Sequence, residues 1–186
     1  MEHTTSNGRL RTSVGVGLGE AVFGRDGEGA DEWVIYGLGS CVGLILVDAA
    51  AGAAAMAHIV LPKSPGHAPV QPAKYADTAV PYLLEGLAGL GAAVNRVVAH
   101  VVGGAKMLKL GAVADIGRRN TEAVRFLLEE RGIPVVGECV GGNAGRTLRW
   151  DRRRRLAIVS QVGKDDLVFP TSGGAGARCG NAGTQV

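Results

Sequence analysis

Cys41 and His58 are the two residues of this sequence whose types and spacing could perform nucleophilic chemistry. Cys41 ends a glycine-rich stretch that begins at Gly37, and His58 follows it by seventeen positions. A thiol becomes a strong nucleophile near neutral pH when a neighbouring base takes its proton, and histidine is the usual base. The chemistry indicated is thiol attack on a carbonyl carbon, provided that the fold brings the two side chains together.

The segments around these two residues predict a β-hairpin. Residues 41–48 and 53–61 are apolar, and Gly52 lies in the short connection between them. A two-residue loop would place Cys41 directly opposite His58, whereas a four-residue loop would make them diagonal neighbours on one face. Their Cβ atoms would then lie about 5 or about 7 Å apart. A register shift of one residue would separate them onto opposite faces.

The turn before this hairpin has a composition that suits a reaction site. Gly39, Ser40 and Gly43 surround Cys41, and backbone N–H groups in such a turn could hold a developing oxyanion. Residue types alone leave a second interpretation open, in which Cys41 and His58 are ordinary core residues, because a free cysteine often acts as a small buried hydrophobe.

Six separate motifs, in this order along the chain, resemble those of the CheD family. They are GLGSCV at 37–42, MAHIVLP at 56–62, KYAD at 74–77, VGGAKM at 102–107, IGRRN at 116–120 and GGNAGR at 141–146. The similarity runs from about residue 13 to about residue 168, which is nearly the whole chain. Several motifs in the right order are far more specific than any single one.

The resemblance implies a fold, an activity and a set of partners. The fold is α+β, a sandwich of mixed β-sheets flanked by helices, shared with the catalytic domain of cytotoxic necrotizing factor toxins. The activity is hydrolysis of glutamine side-chain amides in chemoreceptors, with Cys41 as the nucleophile, His58 as the base and no metal or organic cofactor. The implied partners are the cytoplasmic domains of methyl-accepting chemoreceptors and CheC, a phosphatase of phosphorylated CheY.

The sequence departs from the family pattern at one position. The family has a threonine six positions before the cysteine, regarded as the third catalytic member, and this chain has Ile35 there. Isoleucine has no side-chain hydrogen-bonding group, so another residue would have to orient the base, and Tyr36, Asn120 and Asn143 are the candidates. The same departure keeps two alternatives open: an adaptor that binds receptors or CheC with little or no catalysis, and a cysteine hydrolase acting on an unrelated amide.

Composition and length limit the remaining classes. We expect one domain at residues 13–170, a flexible tail at 1–12 and a disordered Gly-rich tail at 171–186. The net charge of +3 with only 4% aromatic residues does not indicate nucleic-acid binding. No signal-like segment or apolar run of membrane-spanning length is present, so the prediction is a cytoplasmic protein without membrane insertion. Three widely spaced cysteines, Cys41, Cys139 and Cys179, predict no disulfide framework.

The hydrophobic pattern predicts a body of alternating strands and helices. Helices are expected at residues 74–90 and 121–131, and Asn120 has the residue type of an N-cap for the second helix. Strands are expected at 13–16, 33–36, 41–48, 53–61, 94–102, 134–140, 146–150, 156–162 and 166–169.

Overall fold

The computed structural model describes residues 3–4, 10–66, 70–106, 115–171 and 177–179. Within these ranges the chain forms two α-helices, α1 (Ala76–Gly89) and α2 (Ile116–Glu129), and short 3-10 helices over Pro72–Lys74 and Val94–Arg96. The strands are β1 (His3–Thr4), β2 (Leu10–Arg11), β3 (Ser13–Gly15), β4 (Ala21–Arg25), β5 (Glu32–Leu38), β6 (Val42–Asp48), β7 (Ala53–Ile59), β8 (Val98–Gly103), β9 (Val135–Val140), β10 (Arg146–Asp151), β11 (Leu156–Ser160), β12 (Leu167–Pro170) and β13 (Ala177–Arg178).

Two mixed sheets carry most of these strands. The larger sheet has six strands in the order β13-β9-β8-β6-β7-β4, and the smaller has five in the order β12-β11-β10-β5-β3. In the first sheet β8, β9 and β13 run parallel to one another, while β8 is antiparallel to β6; in the second sheet β3 runs parallel to β5. Strands β1 and β2 form a separate antiparallel pair.

The core has two layers, one on each face of the six-stranded sheet. One face packs against the five-stranded sheet, and this inter-sheet cluster includes Ile45, Met56 and Trp150. The other face packs against α1 and α2 through residues such as Leu44 and Leu83. Strands β6 and β7 are therefore buried on both faces, which explains why they are apolar apart from Asp48 and His58. The α+β class and the sandwich of mixed sheets are confirmed, with both helices on one side.

The β6–β7 hairpin has a four-residue loop. Asp48 pairs with Ala53, which leaves residues 49–52 in the connection. The Asp48 carboxylate accepts hydrogen bonds from the N–H groups of Ala50 at 3.0 Å and Ala51 at 3.2 Å. An aspartate that binds the backbone two and three residues ahead favours a turn at that point, so Asp48 helps to fix the register.

The start of α2 differs from the prediction. The helix begins at Ile116 after Asp115, so Asn120 lies inside it and the N-cap assignment was wrong. Asn120 is fully buried, and its amide binds carbonyl groups outside the helix rather than a helix end. Tertiary hydrogen bonds have here overridden a local propensity. No helix in the described ranges combines the length and apolar character that crossing a membrane would require.

The structure describes parts of both chain ends, and these parts contain short strands. Within residues 1–12, strands β1 and β2 pair with each other. Strand β13, which lies within residues 171–186, pairs with β9 of the six-stranded sheet. Cys139 and Cys179 form a disulfide, so the expectation of no disulfide was wrong. Parallel pairing of β13 with β9 brings two cysteines forty residues apart into contact. The remaining tail positions, 1–2, 5–9, 172–176 and 180–186, lie outside the described residues.

Candidate active site

The strand register places Cys41 and His58 on the same face of the six-stranded sheet. Gly43 pairs directly with His58, and Cys41 lies two residues before Gly43, so the four-residue loop makes the pair diagonal neighbours. Cys41 packs against the inter-sheet cluster, and Val16 of that cluster meets the His58 ring. Both side chains thus lie at one end of the space between the sheets.

The His58 ring is held by a backbone carbonyl. Its Nδ1 lies 3.3 Å from the carbonyl oxygen of Val16, which can only accept, so Nδ1 carries the proton and Nε2 presents a lone pair. Within the described part of the chain, Nε2 is buried without a hydrogen-bond partner. Burial lowers the His58 pKa, opposed by the Val16 carbonyl and the charge of Glu20. A neutral ring with an available Nε2 is the form that a general base needs.

Cys41 is the free cysteine among the described residues, and it is partly exposed. Burial raises the pKa of its thiol above the ordinary value. A raised thiol pKa beside a histidine whose pKa is lowered favours the neutral pair over a preformed thiolate–imidazolium pair. The arrangement can therefore support proton transfer from thiol to imidazole during attack, rather than before it.

The turn that carries Cys41 is held by its carbonyl groups. The Gly39 oxygen accepts from the N–H of Ala105 at 2.7 Å, and the Cys41 oxygen accepts from the N–H of Gly104 at 2.8 Å. Between them, the Ser40 oxygen accepts from the Asn120 side chain at 2.9 Å. Three successive carbonyls of the turn are thus fixed from one side.

Glycine is required in the segment that holds this turn. A Cβ on Gly103 would collide with the Cys41 carbonyl oxygen, and a Cβ on Gly104 would collide with the Thr121 hydroxyl. Both residues also have positive φ, at +115° and +60°, which glycine adopts without steric cost. Residues 103–105, the GGA motif within VGGAKM, are therefore explained by close contact with the turn that carries Cys41.

Arg146 also binds this glycine segment. It is buried, and its guanidinium donates to the Gly103 oxygen at 3.4 Å and to the Gly141 oxygen at 2.7 Å. The Gly141 N–H in turn donates to the Gly103 oxygen at 2.9 Å. The GGNAGR motif thus supports the GGA motif, which supports the cysteine turn.

The other sequence candidates occupy different places. Tyr36 is 62% exposed on the face of β5 opposite to Ile35, and Asn143 is exposed after β9; no hydrogen bond joins either side chain to His58 in the described structure. Asn120 binds Ser40 and the Val60 carbonyl, each at 2.9 Å, rather than the histidine ring. The hydrogen-bond acceptor that sequence reasoning missed is the Val16 carbonyl, which has no side-chain signature.

Gly43 and Ile35 form the floor beside His58. Gly43 lies inside β6 rather than in the turn, and a Cβ there would come within 2.8 Å of Leu148 and 3.0 Å of Leu38. Its glycine identity is explained by packing between the sheets. Ile35 is fully buried and would lie 3.3 Å from the same Cβ, so it fills space next to the site.

The described residues contain no cluster of three or more His, Cys, Asp or Glu side chains arranged to bind a metal ion.

Known proteins are similar to this sequence over most of its length. A family model described as CheD chemotactic sensory transduction matches residues 60–161. Proteins named probable chemoreceptor glutamine deamidase CheD are 42% identical over 138 residues in Oceanobacillus iheyensis and 45% identical over 140 residues in Symbiobacterium thermophilum. These matches cover 72% of this chain in each case, and 83% and 84% of the relatives. A protein of the same name from Solibacter usitatus is 41% identical over 145 residues, or 75% of this chain and 86% of the relative. The turn with Cys41, the strand with His58 and the glycine motifs that support them follow the order of the family motifs. This chain belongs to the CheD family.

Proposed function

We propose that this protein hydrolyses glutamine side-chain amides of chemoreceptors to glutamate and releases ammonia. The relatives named above carry that activity in their names. The observation that supports it best in this chain is the His58 ring, whose Nδ1 is engaged by the Val16 carbonyl while Nε2 is left without a partner on the face that Cys41 shares.

In the first half of the proposed reaction, the Cys41 sulfur attacks the carbon of the glutamine side-chain amide. The thiol proton passes to Nε2 of His58, and the carbonyl oxygen becomes an oxyanion that turn N–H groups stabilise. The imidazolium then gives its proton to the amide nitrogen, the C–N bond breaks, and ammonia leaves. A thioester between Cys41 and the side chain remains.

In the second half, water replaces the thiol. His58 takes a proton from the water as it attacks the thioester carbon, and the C–S bond breaks with the proton returned to sulfur. The products are a glutamate side chain and the original thiol. The same neutral ring serves as base in both halves, so its lowered pKa keeps it in the active form at neutral pH.

The test is incubation with the purified cytoplasmic domain of a chemoreceptor, followed by peptide mass spectrometry for glutamine-to-glutamate conversion. We expect conversion with the wild-type protein and with Cys179→Ser, and none with Cys41→Ser. The Cys179 substitution is the matched control because it removes a cysteine that the proposed reaction does not use.

A receptor domain that binds the wild-type protein without any mass change would contradict the proposed reaction. That outcome would favour the adaptor instead, in which the same surface recognises receptors or CheC without catalysis. Binding measured in parallel, by fluorescence anisotropy of the labelled receptor domain, separates this result from a failure to meet the substrate.

A further inference from the structure

Asn120 makes its hydrogen bonds to the two segments that carry the proposed catalytic residues. One N–H of its side-chain amide donates to the Ser40 carbonyl, next to Cys41, and the other donates to the Val60 carbonyl, two residues after His58. These partners are 80 and 60 residues away in sequence. A single fully buried amide thus ties both segments to α2.

Only the N–H groups of the Asn120 side-chain amide make hydrogen bonds. Its Oδ1 is buried and has no hydrogen-bond partner within the described residues. The two carbonyl neighbours decide the orientation, because the reverse orientation would direct the amide oxygen at two other oxygens. An unsatisfied buried acceptor is unfavourable, so the position is explained better by what the two N–H groups hold than by packing.

Peptide geometry shows how these hydrogen bonds orient the N–H groups of the turn. In a trans peptide the C=O of one residue and the N–H of the next point in opposite directions. The carbonyls of Gly39 and Ser40 are bound by the Ala105 N–H and by Asn120. The N–H groups of Ser40 and Cys41 must therefore point away from α2 and the GGA segment.

We infer that Asn120 is a positioning residue that sets the Ser40 and Cys41 N–H groups as the oxyanion hole. This inference rests on the proposed deamidation. It assigns the residue to a different role from orientation of His58. The two N–H groups lie beside the attacking sulfur, where negative charge develops on the substrate oxygen, and donors fixed in advance need no rearrangement during the reaction.

The first experiment compares Asn120→Asp with Thr78→Val. Asn120→Asp keeps the shape but replaces the donor nitrogen Nδ2 with an oxygen that faces the Ser40 and Val60 carbonyls. Thr78→Val removes a hydroxyl that contacts two carbonyls, those of Pro72 and Tyr75, at the start of α1 and away from the site. We expect Asn120→Asp to lower the deamidation kcat on the order of 100-fold with little change in KM, and Thr78→Val to leave both within about threefold.

Alkylation of Cys41 by iodoacetamide separates positioning from general damage. Attack on a saturated carbon forms no oxyanion, so we expect the Asn120→Asp protein to keep an alkylation rate near that of the wild type. Hydrogen exchange should rise in the peptide that contains residues 37–42 and stay unchanged in β11. Equal losses of alkylation and deamidation, or unchanged exchange in the cysteine turn, would overturn the inference.

Two further measurements keep the inference testable when a variant fails to fold or when the deamidation proposal itself fails. The exchange comparison needs no substrate, so it reports on the turn even if the wild-type protein deamidates nothing. In the wild-type protein, an N-acetylated peptide carrying glutamate γ-semialdehyde should add the Cys41 thiol across its aldehyde, with the sulfur on carbon and the proton on oxygen. The Ser40 and Cys41 amide protons should then shift downfield in the NMR spectrum, and unshifted amides in the adduct would overturn the inference.

Discussion

The two ends of strands β6 and β7 differ in how their polar groups are satisfied. At the end with Cys41 and His58, Nε2 of the ring and Oδ1 of Asn120 are buried without partners in the described structure. At the other end, the Asp48 carboxylate is fully buried, pairs with Arg96 at 2.7 Å and accepts three backbone hydrogen bonds. Of these two ends, the one where chemistry is proposed therefore holds the unsatisfied groups, and the one where the hairpin turns holds a fully satisfied carboxylate.

The satisfied end also has a cleft in the surface. A cleft of about 550 Å³ is lined by residues that include Arg152 to Arg155 and Asp26. The charges there are already engaged, since Arg155 pairs with Asp26, Arg153 pairs with Asp31 at 2.6 Å, and Arg152 donates to three carbonyls. Arg152 also stacks on Trp33 at 4.6 Å. The charged side chains of this cleft therefore hold neighbouring segments of the fold together.

The largest expected effect is loss of the thiol. We expect Cys41→Ala to lower receptor deamidation by at least about a thousandfold and His58→Ala to lower it nearly as much. Because the two groups act as a unit, the double variant should be little worse than either single one. Arg155→Ala at the other end should leave the rate within about twofold. Deamidation assayed by ammonia release checks all four, and a strong loss in the Arg155 variant would break the comparison.

The next effect is on stability and comes from the opposite end. Replacement of Asp48 by Ala leaves the N–H groups of Ala50, Ala51 and Ala93 without their acceptor, so we expect a loss of about 3 kcal/mol in the free energy of unfolding. Asp26→Ala removes a pair that is well exposed and should cost less than about 1 kcal/mol. Urea unfolding measures both. Similar losses in the two variants would mean that burial does not distinguish these ion pairs.

His100 tests whether an unsatisfied buried group marks function by itself. It is fully buried next to Trp150, neither ring nitrogen has a partner in the described residues, and burial lowers its pKa from 6.5 to about 4. The unfolded chain takes up this proton below about pH 6.5 and the folded chain only near pH 4. Stability is therefore complete above pH 6.5 and declines by up to about 3 kcal/mol as the pH falls towards 4.

The matching variant is His100→Leu, which should unfold with a smaller dependence on pH between 7 and 4. Urea unfolding of both proteins at several pH values isolates the His100 contribution, because the carboxylates titrate equally in the two. Deamidation per folded molecule should be unchanged. Identical pH dependence would show that His100 is protonated or hydrogen-bonded in the folded protein.

The fold was predictable where the signal is local. The apolar runs on both sides of Gly52 predict the β6–β7 hairpin, and its four-residue loop agrees with the turn that Asp48 favours. The sequence alone did not decide between a loop of two residues and a loop of four, because two apolar strands can pair in either register. The N-cap expected at Asn120 and the missed Cys139–Cys179 disulfide have the same cause: each depends on partners that only the tertiary fold supplies.

The candidate site was predictable in its side chains but not in its backbone. Cys41 and His58 stand out by type, spacing and motif. The Val16 carbonyl that binds His58 comes from a position 42 residues away, and any residue type offers a carbonyl there. The amides of Gly104 and Ala105 are equally hidden, although the glycines around them signalled a close approach. What sequence reasoning missed is therefore the set of main-chain groups that hold the site.

The smallest expected effect concerns Ile35 and sharpens the comparison at its active end. The family threonine is absent at this position. Nδ1 of His58 already donates to the Val16 carbonyl, so a new hydroxyl would not be needed to bind that nitrogen. Ile35 is fully buried among Leu38, Gly43 and Leu148. We expect Ile35→Thr to cost about 2 kcal/mol of stability, because it loses apolar packing and buries a hydroxyl without a partner, and to change the deamidation rate by less than about threefold. Ile35→Val is the control for lost volume and should cost about 1 kcal/mol. Thermal unfolding and deamidation rates are measured for both variants. A rate increase on the order of tenfold in the threonine variant alone would contradict this expectation. It would mean that the Val16 carbonyl orients His58 incompletely and that His58 lacks a side-chain partner.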